Sequence, residues 1–289
     1  MIKISELKEM LECSILTGII KNKHNNTSLF FIAKPESGKS EVISLSRDYE
    51  SVIYTNDLSF AGLIKNIIPQ IQNDRLSHIA IPDFINVLSH RRASETLTPV
   101  LNSLMAEGVK DLKFYGVENT YPYPIKAGFV TGITKEMFDT RIQTWKNIGF
   151  LTRMIVVTYS YSETTRLQIH NYIKDGDSFE RDKTQASLYE KFRLNSIDVT
   201  IPSEIAVQVQ ILATALTNQN AIYTMQGRTG RAWKMDLKGY GFRLHHQLRT
   251  LIQGICLYNG KGVRFEVDET DFNKLQSFTK FMNFNFTEL

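Results

Sequence analysis

Apolar residues recur at near-helical spacing through the first twenty positions, with Ile4, Leu7, Met10, Leu11, Ile15, Leu16 and Ile19 forming one stripe, and this periodicity predicts an amphipathic helix. The polar stretch 21–27 ends it. The next segment, SLFFIA (28–33), is a short continuous apolar run with aromatic and β-branched residues, the pattern of a strand buried on both faces. A loop containing Pro and Gly follows at once and leads into a new helical pattern. Four more such runs, SVIYT (51–55), HIAI (78–81), AGFVTGI (127–133) and RMIVVTY (153–159), are separated by helical stretches such as 62–71 and 93–106. Strands without a polar face, alternating with helices, predict an α/β fold: a mostly parallel sheet flanked by helices on both sides.

Beyond Ser162 the pattern changes. A charged segment, 175–193, precedes a second region in which 205–216 and 244–257 carry helical periodicity. Between them, MQGRTGRAWKMDLKGYGFR (225–243) is rich in Gly and basic residues and reads as turns or a hairpin. The expected organisation is an α/β core over 1–162, a charged connection over 163–204 and a smaller, mainly helical lid over 205–289 that ends in the aromatic run FTKFMNFNF. No internal repeat is present.

Composition narrows the class without choosing a function. With 289 residues, 42% hydrophobic and 22% charged, the chain is neither a polar low-complexity sequence nor a membrane bundle. No apolar run approaches the roughly 20 residues of a membrane-spanning helix. The start, MIKISELKEMLECS, mixes charge with apolar residues instead of building a signal peptide, so a soluble, cytoplasmic protein is expected. Cys13 and Cys256 lack zinc or redox spacing and read as small buried hydrophobes. The six histidines likewise show no metal-ligand spacing. The net charge of +4 permits an anionic partner without demanding one.

The chemistry concentrates in the loop after the first buried strand, AKPESGKS (33–40). It matches the phosphate-loop pattern GxxxxGK[ST] except that Ala33 replaces the first Gly. In such a loop the backbone N–H groups of Lys34, Pro35-Glu36, Ser37 and Gly38, continuing into Glu41, surround phosphate oxygens, with Pro35 itself contributing no donor. Lys39 pairs with the β and γ phosphates, and Ser40 offers its hydroxyl to Mg²⁺. The preceding strand and following helix supply the context the motif needs. Its acidic partner is expected at the end of a neighbouring strand, where Asp83 follows HIAIP; Pro82 stands where a second acid is usual. The other reading of Asp83 is a helix N-cap.

With these segments in order, the chain resembles the AAA+ ATPases, and among them the minichromosome maintenance helicases. Residues 56–63 (NDLSFAGL) lie where those proteins carry a Ser-rich stretch ending in Gly-Leu-Thr, and Pro82-Asp83-Phe84 falls on their Asp-Glu-Phe. Segment 101–132 follows their helix, strand and sensor-one strand, placing Thr134 at the sensor-one position. GFLTRMIVV (149–157) is similar to their LLSRFDLIF, which implies that Arg153 is the finger offered to a neighbouring subunit's nucleotide. GFRLHHQLRTLI (241–252) is similar to the helix bearing the sensor-two arginine, for which Arg243 or Arg249 is preferred and His246 is the second choice. VDETD (267–271) resembles the acidic turn that opens the last lid helix. The departures are as specific: long DNA-gripping hairpins have no room between Gly62 and Asp83 or after Thr134, and the N-terminal DNA-binding domain of those helicases is not expected here.

Nucleic acid is a further candidate partner. Arg228, Arg231, Lys234, Lys238, Arg243 and Arg249 face only Asp236 and are interleaved with Trp233 and Tyr240, a mixture suited to phosphate neutralisation and base stacking, or equally to a solvated hairpin. Arg91-Arg92 is a second basic site. The resemblance implies an ATPase using ATP and Mg²⁺ that assembles into a homo-oligomeric ring or filament and remodels or moves DNA or a DNA-bound protein. The alternatives are a nucleotide-dependent assembly switch with little hydrolysis, which recruits another effector, and, more weakly, a small-molecule kinase.

Overall fold

Five apolar runs become the strands of one parallel sheet in the computed structural model, which describes residues 4–89, 91–114, 117–174, 192–218, 222–226, 232–236 and 241–283. They are β1 (Leu29–Ala33), β2 (Val52–Tyr54), β3 (His78–Ile81), β6 (Gly128–Thr134) and β7 (Ile155–Thr158); the intervening β4 (Val109–Phe114) and β5 (Val117–Ile125) form a separate antiparallel pair. The sheet order is β2-β3-β6-β1-β7. The chain leaves β1 for the far edge and then winds back past it, so β1 lies where the winding reverses. In open parallel sheets the crevice for a ligand opens at the carboxyl ends of such strands.

The absence of a polar face has a direct structural cause. Leu29 and Phe31 point into one hydrophobic cluster, while Phe30 and Ile32 point into the other. On the first side lie α1 (Ile4–Leu16) and α2 (Lys39–Ser44); on the second lie α3 (Phe60–Gly62), a π-helical turn (Leu63–Ile67), α4 (Ile68–Gln72), α5 (Phe84–Ser89), α6 (Arg91–Met105) and α7 (Lys135–Asn147). Phe30 packs edge-on against Phe84, Phe138, Trp145 and Phe150, and Phe84 stacks on Phe150 with ring centroids 5.7 Å apart. These rings fix α5 and α7 against the sheet, and with them the residues at their amino ends.

After α8 (Glu163–Lys174), three helices return to the first face: α9 (Ser203–Asn218), α10 (Phe242–Asn259) and α11 (Glu269–Phe278). Leu248, Leu251, Ile252 and Ile255 of α10 share one cluster with Leu7, Leu11 and Phe31. Gly254 allows α10 to approach α1 closely, because a Cβ there would lie 2.1 Å from the Cys13 carbonyl oxygen. Both cysteines are buried and free, as their spacing predicts. The acidic turn before α11 is a capping box, Asp268 accepting from the Asp271 amide and Asp271 from the Asp268 amide. The basic hairpin is β8 (Ile222–Gln226) paired antiparallel with β9 (Ala232–Asp236). Among the described residues, no helix is long and apolar enough to cross a membrane.

Candidate functional site

The loop that leaves β1 turns through two left-handed positions, Glu36 at φ 60° and Gly38 at φ 78°, before α2 begins at Lys39. Gly38 adopts its left-handed turn without the steric cost that Glu36 bears two residues earlier. Lys34, Pro35, Glu36, Ser40 and Glu41 are exposed, whereas Ser37 and Lys39 are buried. The Lys39 amine folds back into the loop, donating to the carbonyls of Ala33 at 3.0 Å and Lys34 at 2.8 Å and to Ser37 Oγ at 3.3 Å. Burial pulls its pKa below the ordinary lysine value, while the Asp83 and Glu136 carboxylates oppose that shift.

Two tyrosines brace the loop from the end of β7. The hydroxyls of Tyr159 and Tyr161 donate to the Ser37 carbonyl at 3.1 Å and 2.6 Å. Burial raises both phenols above their usual pKa, so both stay protonated donors at neutral pH.

The carboxyl edge of the sheet brings the other candidates toward this loop. Thr134 pairs in register with Ala33 and is the N-cap residue of α7, although its side chain makes no capping bond. Gly132 lets β6 press against the turn after β3, because a Cβ there would lie 3.0 Å from the Pro82 carbonyl oxygen. Asp83 follows that turn. Its Oδ1 accepts the Ile85 amide at 3.2 Å, so Asp83 caps α5 and also carries charge toward Lys39. Glu136, in the first turn of α7, is exposed and acts on the same amine. Sequence reasoning did not single out Glu136, which looks like an ordinary first-turn acid, nor the two tyrosines, which merely follow a buried run.

Arg153 and Arg243 lie elsewhere. Arg153 sits in the 3₁₀ turn Leu151–Arg153 ahead of β7, whose first residue, Ile155, is level with Leu29 at the start of β1. It is thus on the amino edge of the sheet, opposite the loop. Its guanidinium donates to the Gly149 carbonyl at 2.8 Å and to Glu107 at 3.3 Å. Arg243, expected beside the loop's nucleotide, instead donates to Thr152 Oγ1 at 3.1 Å and Glu107 at 3.3 Å on this same amino edge. The physical reason is that packing of α10 on α1 sets its first turn against the Leu151–Arg153 turn. His246 stacks on His24 with ring centroids 4.1 Å apart, and Arg249 is exposed on the same helix, near His245.

Arg228, Arg231 and Lys238 lie outside the described residues; Lys234 falls in β9 and Arg91 and Arg92 in α6, with side chains outside the description. Among the described residues, no group of three or more His, Cys, Asp or Glu could by itself hold a metal ion. Neither the protein-family models nor the curated proteins contain a match to this chain.

Proposed function

We propose that the chain is a P-loop ATPase of AAA+ type, resembling the minichromosome maintenance helicases, that oligomerises and couples ATP binding and hydrolysis to remodelling or translocation of DNA or a DNA-bound protein. One observation carries this reading: the Lys39 amine lies in a left-handed Gly38 loop at the carboxyl end of β1, where the sheet winding reverses, within the field of Asp83 and Glu136. The parallel α/β architecture is compatible with a P-loop fold.

The loop residues fit a nucleotide polyphosphate. Lys39 now donates to neutral carbonyls, and exchanging these for anionic phosphate oxygens strengthens each bond. The exposed Ser40 hydroxyl and the half-buried Asp83 carboxylate are hard oxygen donors that would hold Mg²⁺. The ion, when bound, supplies neutralisation of charge on the phosphate oxygens. Thr134 positions the reacting groups from the end of β6, and the base that takes the proton of the attacking water is a carboxylate, Asp83 or Glu136. Arg153, on the far edge, cannot serve the loop of its own chain; in the oligomer it stabilises charge on the γ-phosphoryl group bound by a neighbour.

A second reading, the assembly switch with little hydrolysis, is favoured by one feature: Asp83 is already committed to capping α5, and buried Pro82 stands before it. Steady-state ATP hydrolysis with and without single- and double-stranded DNA, together with light scattering in ATP, tests both readings. Turnover stimulated by DNA and ATP-dependent oligomers support the motor. Tight binding without turnover supports the switch, and absence of nucleotide binding overturns both.

A further inference from the structure

The amino edge of the sheet carries a second, separate concentration of charge. A cavity of about 210 Å³ opens between the segment before β1, the turn after α6, the turn before β6 and the first turns of α10. Three basic side chains, Lys126, Arg153 and Arg243, converge on it, and among the described residues that line it the one carboxylate is Glu107; burial pulls the Lys126 pKa below the ordinary lysine value, and Glu107 opposes that shift. Both guanidiniums share that carboxylate, so one acid is asked to balance two arginines and a lysine.

The donors are also incompletely used. Arg153 spends its terminal nitrogens on Gly149 and Glu107, and its Nε is buried away from solvent. Lys126 Nζ donates to the His24 carbonyl at 3.2 Å and to Asn25 Oδ1 at 2.8 Å, which engages two of its three protons. The stacked imidazoles of His24 and His246 form the rim.

We propose that this pocket is a binding site for a phosphate-class dianion, taken up by the Arg243 and Lys126 cations beside the Arg153 guanidinium, with the exposed His24–His246 pair at its rim. A dianion with several oxygens matches this set because it balances the excess of two positive charges, whereas a monocarboxylate leaves one uncompensated. The site is independent of the β1 loop, which lies at the other end of the strands.

The rim gives the pocket a built-in reporter. His24 is held below the ordinary imidazole pKa, first by burial and then by the charges of His246 and Lys126. His245 is lowered by burial, His246 and Arg249. Burial pushes the Glu107 carboxyl up, but its own amide, Arg153 and Arg243 outweigh this and hold it below the usual carboxylate range; among the described lining residues it is the acid beside these groups. A bound dianion adds negative charge beside His24 and raises its pKa.

The test uses full-length Lys39→Ala protein, so that phosphate cannot be held by the loop lysine, titrated with inorganic phosphate against chloride at matched ionic strength while the histidine imidazoles are followed by NMR. Saturable shifts of His24 and His246, a higher His24 pKa with phosphate, and affinity weakened about tenfold or more by Arg243→Gln and by Lys126→Gln, as for loss of a charge-assisted hydrogen bond, are expected. Arg243 is half-exposed, so its replacement leaves the fold intact. Absence of a saturable shift, or affinity unchanged in both variants, overturns the proposal whether or not the protein hydrolyses ATP.

Discussion

Ala33 and Thr134 are partners in register across the β1–β6 ladder, so the loop leaving β1 and the helix leaving β6 begin side by side. That adjacency puts Glu136, two residues beyond Thr134, within the field of Lys39, where Pro82 has displaced the acid expected before Asp83. Replacing Glu136 by Gln should lower ATP turnover by about a hundredfold or more while leaving nucleotide affinity near that of the unaltered protein, the effect of losing a general base. Parallel measurement of kcat and ATP affinity checks this; unchanged kcat leaves Asp83 as the base.

Asp83 has two duties that substitution can separate. Asn preserves the cap on α5 and Ala does not, so Asp83→Ala should cost about 0.5–2 kcal/mol of stability and Asp83→Asn much less. Both should depress hydrolysis. Denaturant unfolding beside steady-state turnover distinguishes them, and hydrolysis that tracks stability alone would reduce Asp83 to a cap.

Arg153 cannot reach the loop of its own chain, which makes its contribution separable by mixing subunits. Arg153→Gln should bind ATP normally yet lose turnover by about a thousandfold, as for loss of an arginine finger, and recover activity when mixed with Asp83→Asn. Normal turnover in the variant alone refutes a role in trans.

His78 makes acid stability a further test. It is fully buried in β3, its Nε2 facing the Thr27 carbonyl at 3.2 Å and its Nδ1 facing the Ser77 hydroxyl at 2.8 Å, and burial pushes its pKa down to about 3. The unfolded chain, with an ordinary imidazole, binds the proton first. Below about pH 6.5 the His78 contribution to stability therefore falls as pH falls, by up to about 1.4 kcal/mol per pH unit, until the folded-state pKa is reached. Above pH 6.5 it is fully present. Unfolding curves between pH 7 and 4 should show this slope, and His78→Gln should flatten it.

The strands were legible because burial on both faces leaves a local trace: neither Phe30 nor Phe31 could be polar when each enters a different cluster. The loop was legible because Gly38 and Lys39 set a turn-forming residue and a charge at adjacent positions. The place of Arg243 was not. It depends on α10 packing against α1 through the Gly254–Cys13 approach, a contact between positions more than two hundred residues apart. Glu136 was hidden for a related reason: only the pairing of β6 with β1 brings the start of α7 to the same sheet edge as the loop.

Nucleotide binding at this loop depends on the Lys39 amine, which is held by its own loop and would exchange those carbonyls for phosphate oxygens. Calorimetric titration of ATP with Mg²⁺ into the unaltered protein and into Lys39→Ala tests it most directly. Saturable binding that weakens by at least about tenfold in the variant, the loss of a charge-assisted contact, is the predicted result. Equal affinity in the two proteins, or no binding in either, would contradict a nucleotide site at this loop.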